Sequence, residues 1–409
     1  MKNTFISLLC ALHAFAVRLY APASPHTIYI SKDKIYQFIN NNLLMNVINT
    51  NVLIIGAGVY GIGLANHLYG QKRSFVIAGK FMDLWRNHTF ENMELRSDFS
   101  TSEITHPENR FSSDLFLRDH PEFEIYRNKH LPVIVYRAYL NWVENNLEYP
   151  VINDLIENLD FCTGNTSKKK FCAVLKINKN TMIYSNKVVI ASGLSHHLFI
   201  PLELNQIPEN VIHSYESRKI EKLGNIKVLV VGGGQSAAES IEVLIKKNND
   251  VSWLSRHSTV YLEQPVNIST WLFSMIIKSS GLFYRCPSWL RKFIILLLSR
   301  PTIRPGFKPI LEKVTKTDHV VKSSHMIYSK IISATGFKYK LDNYTFLSSK
   351  IKLSIKTAHN IPVLDKSFQS TLRGVYFTGG IAETRFGTAL KFIIGSHYAC
   401  KNIAKNLFD

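Results

Sequence analysis

Residues 52–55 (Val-Leu-Ile-Ile) are uniformly apolar and run into Gly56-Ala57-Gly58, after which residues 59–68 carry apolar side chains at helical spacing. That order predicts a buried strand, a tight turn and a helix. A short polar link at residues 70–73 leads into a second apolar run at 74–78, which completes a parallel strand–helix–strand unit. The same pattern restarts later. Lys227–Val231 reads as a strand, residues 232–234 as a turn, residues 236–246 as a helix and residues 251–254 as the following strand.

Elsewhere the periodicity is less even. Residues 81–128 have no regular spacing and are expected to form loops around a ligand, whereas residues 136–146 recover a helical face built on Tyr136, Leu140 and Val143. Residues 187–191 read as another buried strand, ending at Ser192-Gly193. The stretch 261–309 is apolar, basic and punctuated by prolines, and is read as helices covering an active site. Strands are expected at 326–334 and 375–378, and a closing helix at 388–406. The implied architecture is α/β, with two Rossmann-like dinucleotide-binding domains, the second inserted in the first. The expected boundaries are 45–214 for the first part of the outer domain, 215–330 for the inserted domain with its apolar helical segment, and 331–409 for the remainder.

The first residues add an ambiguity. Lys2, the apolar run at residues 5–17 and Ala21-Pro22-Ala23 resemble a secretory signal peptide. The competing expectation is that Met45 is the start, a short lead before the first strand, and that residues 1–44 are an upstream extension. No other apolar run is long enough to span a bilayer, so stable membrane insertion is not expected.

Composition changes this picture little. The net charge of +19 suits an anionic partner, yet lysines are scattered and the densest cluster is Lys168, Lys169 and Lys170. There is no basic stripe interleaved with aromatics, so nucleic acid is not an expected partner. Cys10, Cys162, Cys172, Cys286 and Cys400 contain no CxxC pair and are expected to be reduced thiols in a cytoplasmic protein. No His, Cys or carboxylate spacing suggests a metal.

The chemistry concentrates at the two glycine turns. In Gly56-Ala57-Gly58-Val59-Tyr60-Gly61, Gly56 permits the turn, Gly58 lets the backbone approach a pyrophosphate, and Gly61 allows close packing of helix on strand. The helix N-terminus adds unpaired N–H groups and partial positive charge. The acidic residue that usually ends the second strand and binds ribose is absent, because the chain reads Ala78-Gly79-Lys80. The second turn, Gly232-Gly233-Gly234-Gln235-Ser236-Ala237, has the same spacing with Ala in the third place. Its second strand ends at Leu254-Ser255-Arg256, where a cation can pair with a 2′-phosphate, so NADPH is the expected dinucleotide.

The stretch from Val231 to Glu239 resembles the NADPH motif of the flavin monooxygenases that N-hydroxylate lysine or ornithine, within the wider flavin-containing monooxygenase class. Ile332-Ser333-Ala334-Thr335-Gly336-Phe337 is similar to the ATGY-type element of that class, and His213-Ser214 to its His-Ser element. Trp85, the segment from Asn92 to Ser97, and Phe386-Gly387 through Gly395 resemble bacterial FAD-dependent urate hydroxylase-like flavoproteins. The departures are a missing FxG before His213, Ser329-Lys330 where an Asp is usual, and no Asp after Thr378-Gly379-Gly380.

What the resemblance implies is a single-component monooxygenase that binds FAD at the first turn and NADPH at the second and uses O2 to oxygenate a small nucleophilic substrate, by N-hydroxylation among other routes. It implies cofactor contacts at Gly56, Gly58, Gly61, Trp85, Gly232, Gly234, Gln235, Ser236, Ala237, Arg256, Thr335, Gly336 and Gly379. Arg96, Ser97 and His213 become candidates to donate hydrogen bonds to activated oxygen. The alternatives are a non-catalytic FAD- and NADPH-binding protein and a disulfide-reductase-like flavoprotein, the latter disfavoured by the missing CxxC.

Overall fold

The computed structural model describes residues 46–162, 170–206, 208–256, 258–262, 270–298, 301–317 and 328–408, without the side chains of residues 270–274 and 276–278. The N-terminal extension, Cys10, Lys168, Lys169 and the beginning of the strand expected at 326 lie outside them. Residues 47–409 form one compact unit.

Two parallel sheets organise it. In the first, Val375–Phe377, Lys187–Ile190, Val52–Ile55 and Phe75–Ala78 lie side by side in that order. All four residues of Val52–Ile55 are buried, as a central parallel strand covered on both faces requires. Helix Val59–Gly70 covers one face, and the C-terminal helix Gly395–Asn406 packs against it. The second sheet runs Val211–His213, Lys330–Ser333, Lys227–Val231, Asp250–Leu254 and Thr315–Lys316, all parallel. Its helix, Gln235–Lys246, follows the second glycine turn. Both Val211–His213 and Lys330–Ser333 pair inside this sheet, so the boundary expected after residue 214 leaves the first of these strands with the outer domain and the one expected after residue 330 cuts the second.

Three further strands, Ile156–Phe161, Phe171–Leu175 and Thr181–Ser185, form an antiparallel meander beside the first sheet. The region expected to be irregular contains short helices at Asp83–Asn87 and Ser113–Asp119, the second capped by Ser112. These are too short to give a periodic signal. The closing helix expected from residue 388 begins instead at Gly395, after a 3-10 turn at Thr388–Lys391 and an extended Phe392. The chain doubles back there: a Cβ at Gly395 would lie 2.3 Å from the Ala389 carbonyl oxygen.

The apolar insertion forms helices Thr270–Arg285 and Ser288–Leu298. Both lie against Glu383–Phe386 near the C-terminus, where Tyr284 stacks on Phe386 at 5.3 Å.

Buried histidines give the fold an acid limit. Burial pushes His67 and His197 down to about 4 from an ordinary 6.5. Unfolding lets both take up protons at 6.5, so the stability they contribute is complete above pH 6.5 and is lost as pH falls through about 4. The thermal unfolding midpoint should therefore hold near neutrality and decline across that window. A midpoint flat down to pH 4 would contradict this assignment.

Candidate functional site

The first glycine turn opens a cleft of about 500 Å³ at the carboxyl end of the first sheet. Gly56 has φ +110°, and a Cβ there would lie 2.4 Å from the Ala191 carbonyl oxygen. At Gly61 an added Cβ would stand 1.8 Å from the Gly56 carbonyl oxygen, so the helix packs directly on the turn. Gly58 differs from both. Its φ of −85° is open to any residue, and nothing lies within 4 Å of where its Cβ would be. The missing side chain at Gly58 is thus space kept for a ligand beside the helix N-terminus.

Gly56, Gly58, Trp85 and Gly379 line this cleft together. Trp85 is held edge-on to Tyr136 at 4.9 Å. Gly79, just after the strand, has no room for any side chain, since a Cβ there would lie 2.6 Å from the Ala57 amide nitrogen. Polar groups at the cleft come instead from Lys80, Asp83, Glu157 and Lys176. Sequence reasoning missed Glu157 and Lys176, because the antiparallel meander that carries them has no nucleotide-binding motif. It also missed the far wall. The Tyr60 hydroxyl donates to the carbonyl oxygens of Leu390 (2.8 Å) and Phe392 (2.9 Å), which fixes residues 390–393 along the cleft.

The second turn has the same construction. Gly232 has φ +144°, and the Trp253 indole N–H donates to its carbonyl oxygen at 2.7 Å. Ala237, fully buried, replaces the third glycine. Ser236 is exposed in the first helical turn, and Arg256 is exposed just beyond the strand Asp250–Leu254. Gln235 turns sideways, donating to Glu239 Oε1 (3.1 Å) and accepting from the Arg304 amide (3.0 Å). Pro301 sits 3.5 Å from where a Gly234 Cβ would be, so residues 301–304 form a wall beside this turn. Glu239, buried in the helix, has its carboxyl pushed up to about 7 by desolvation.

The candidate oxygen-site residues are not brought together. None of Arg96, Ser97 and His213 is among the residues lining the cleft. Arg96 donates to the Thr302 hydroxyl (2.9 Å) and the Leu262 carbonyl (2.9 Å), tying the first unit to the wall beside the second turn. The Ser97 hydroxyl pairs with that of Ser102 at 2.7 Å. His213 accepts from the Tyr215 amide at Nδ1 (3.1 Å), which leaves Nε2–H to donate to the Gly336 carbonyl (3.0 Å). Burial keeps this imidazole neutral by lowering its pKa.

Thr335 and Gly336 lie on the crossing between the sheets. The Phe199 amide donates to the Gly336 carbonyl and the Lys338 amide to the His197 carbonyl, pairing the two connecting segments side by side. Tyr339, just after this crossing, and Tyr215, just after the strand Val211–His213, both line the cleft, where burial holds both hydroxyls protonated. No cluster of His, Cys, Asp and Glu among the described residues could hold a metal.

The sequence model of the L-lysine 6-monooxygenase/L-ornithine 5-monooxygenase family matches residues 49–288, which spans both glycine turns. The chain belongs to this family. It is an FAD- and NADPH-dependent flavin monooxygenase, and O2 and a small molecule are its substrates. An uncharacterized oxidoreductase, CzcO, of Bacillus velezensis is 25% identical over 379 residues, covering 85% of this chain and 96% of that protein. The same fold is found in ornithine hydroxylase PvdA from Pseudomonas aeruginosa, with a TM-score of 0.71 at 15% identity over 88% of this chain and 99% of that one. Ornithine N-hydroxylase KtzI of Kutzneria sp. 744, in a form with reduced FAD, NADP+ and L-ornithine, gives the same four values.

The cradles fit these cofactors. At the first turn the open space at Gly58 meets a helix N-terminus and a cleft of about 500 Å³, room for a dinucleotide pyrophosphate. At the second turn an exposed cation, Arg256, follows the strand Asp250–Leu254 and offers a partner of the charge a 2′-phosphate needs.

Proposed function

We propose that this monooxygenase N-hydroxylates a primary amine of a small diamine or diamino acid. The observation that carries the proposal is the family match across residues 49–288, which takes in both glycine turns of one chain. Bound NADPH would supply a hydride and bound FAD the centre at which O2 is activated.

The chain's residues would do the rest. Gly58 and the first amides of Val59–Gly70 hold the FAD pyrophosphate, and Trp85 and Gly379 border it. Glu157 replaces the missing acidic residue as the ribose partner. Gly232, Gly234 and Ser236 hold the NADPH pyrophosphate, while Gln235 and Ala237 shape the turn. Arg96 and His213 act as positioning residues, one fixing the wall at Thr302 and the other the crossing at Gly336. The Tyr215 hydroxyl is the better placed hydrogen-bond donor within the cleft. The NADPH-binding domain is taken as residues 211–333 and the FAD-binding domain as the rest of the compact unit, following strand pairing. The enzyme is placed in the cytoplasm, where NADPH is available. Among the described residues no helix is long and apolar enough to cross a membrane.

Purified, FAD-loaded protein should oxidise NADPH faster when given lysine, ornithine or a terminal diamine than with thiols, ketones or purines. Product mass should rise by one oxygen atom. Oxygenation of a ketone or purine in preference to every amine would overturn the amine assignment. Arg256→Ala should raise KM for NADPH by about tenfold or more, with little change for NADH, because only the 2′-phosphate is lost as a partner. Equal effects on both dinucleotides would place Arg256 outside the site.

A further inference from the structure

Exposed large apolar side chains concentrate on one element. Helix Ser288–Leu298 turns Trp289 (68% exposed), Phe293 (60%), Leu296 (75%) and Leu297 (59%) to solvent, and Leu298 continues the patch. The spacing 289, 293, 296, 297 places these side chains on one face, while Leu290, Arg291, Ile294 and Ile295 are half-buried against the molecule. Leu282, on the preceding helix, is 65% exposed. Apolar residues exposed singly need no explanation, but a continuous face of this kind marks a surface that something covers.

Charge narrows the choice of occupant. Residues 264–311 contain no Asp or Glu, yet carry Lys278, Arg285, Arg291, Lys292, Arg300, Arg304 and Lys308. Beside Leu282, Arg285 shares an open hollow of about 600 Å³ with Lys366 and Lys405, and no carboxylate lines it. A second copy docked symmetrically on this face would set these cations against their own counterparts. An anionic lipid surface accepts both features, with acyl chains for the apolar face and phosphates for the cations. At 11 residues the helix spans about 16 Å, roughly half a bilayer's apolar core, so it can lie on a membrane and not cross it.

We infer that helix Ser288–Leu298 docks the enzyme reversibly on the surface of an anionic phospholipid bilayer. Trp289, Phe293, Leu296 and Leu297 enter the boundary between headgroups and acyl chains. Arg285, Lys292, Lys366 and Lys405 sit over the phosphates.

The test is cosedimentation of the full-length, FAD-loaded protein with vesicles of phosphatidylcholine alone or mixed with phosphatidylglycerol. Binding should require phosphatidylglycerol, weaken as salt rises, and fall on the order of tenfold or more in the double variant Phe293→Glu/Leu296→Glu. Lys292→Glu should weaken it less. Flavin absorbance and NADPH oxidation in solution should be unchanged in every variant, which separates loss of docking from loss of fold or of activity. Equal vesicle binding by wild type and the double variant would overturn the inference, as would no binding by either. So would a lipid-free dimer that the double variant dissociates in sedimentation velocity, because that assigns the face to a second copy.

Discussion

Gly58→Glu should yield a folded, colourless protein. The residue at this position occupies ordinary extended backbone, and no atom lies within 4 Å of where its Cβ would stand, so a Cβ can be added without displacing any protein atom. That side chain would enter the cleft beside the helix N-terminus and place a carboxylate where the pyrophosphate is to bind. FAD affinity should drop by about a hundredfold or more, the combined effect of lost space and like-charge repulsion. Thermal unfolding of the apoprotein should stay close to that of wild-type apoprotein, and NADPH oxidation should disappear. A yellow Gly58→Glu protein with normal turnover would show that this cleft does not hold the flavin.

Gly61→Val, three residues away, should fail for a different reason. The first atom of the new side chain would meet the Gly56 carbonyl oxygen at 1.8 Å, and that oxygen belongs to backbone which cannot swing aside. Helix Val59–Gly70 would have to lift from the strand Val52–Ile55, in the most fully buried part of the core. The expected loss is about 3 kcal/mol or more. Insoluble expression or a sharply lowered unfolding midpoint is the predicted outcome. A midpoint within a few degrees of wild type would refute the close packing described. The pair of variants separates ligand space from packing space within one motif, which activity measurements alone cannot do.

The parts of the molecule legible in the sequence are those whose information is local. Each glycine turn is bracketed by a buried strand and a helix, so residues 52–78 and 227–254 carry their own instructions, and the strands fall within a residue or two of expectation. The third position shows the same locality, with Gly61 forced by contact while Ala237 is tolerated. Residues whose partners are remote in the chain were harder to read. Arg96 finds Thr302 across 206 positions and His213 finds Gly336 across 123, so their use as ties was invisible before folding. Tyr215, just outside the His213-Ser214 element, and Glu157, in no motif, reach the cleft only because the second sheet's first strand and the meander bring them there. The sheet membership of Val211–His213, which has no strand signal of its own, and of Lys330–Ser333 was not legible in the sequence. Only pairing assigns them to the second sheet.

Hydride passage from one dinucleotide site to the other is the claim on which the account depends. Anaerobic mixing of the FAD-loaded protein with NADPH, followed by the flavin's visible absorbance, tests it without knowledge of the organic substrate. The flavin should bleach with NADPH, much faster than with NADH, and the colour should return when O2 is admitted. A flavin that stays bound and oxidised in excess NADPH would contradict the account and leave a nucleotide-binding protein that does not turn over.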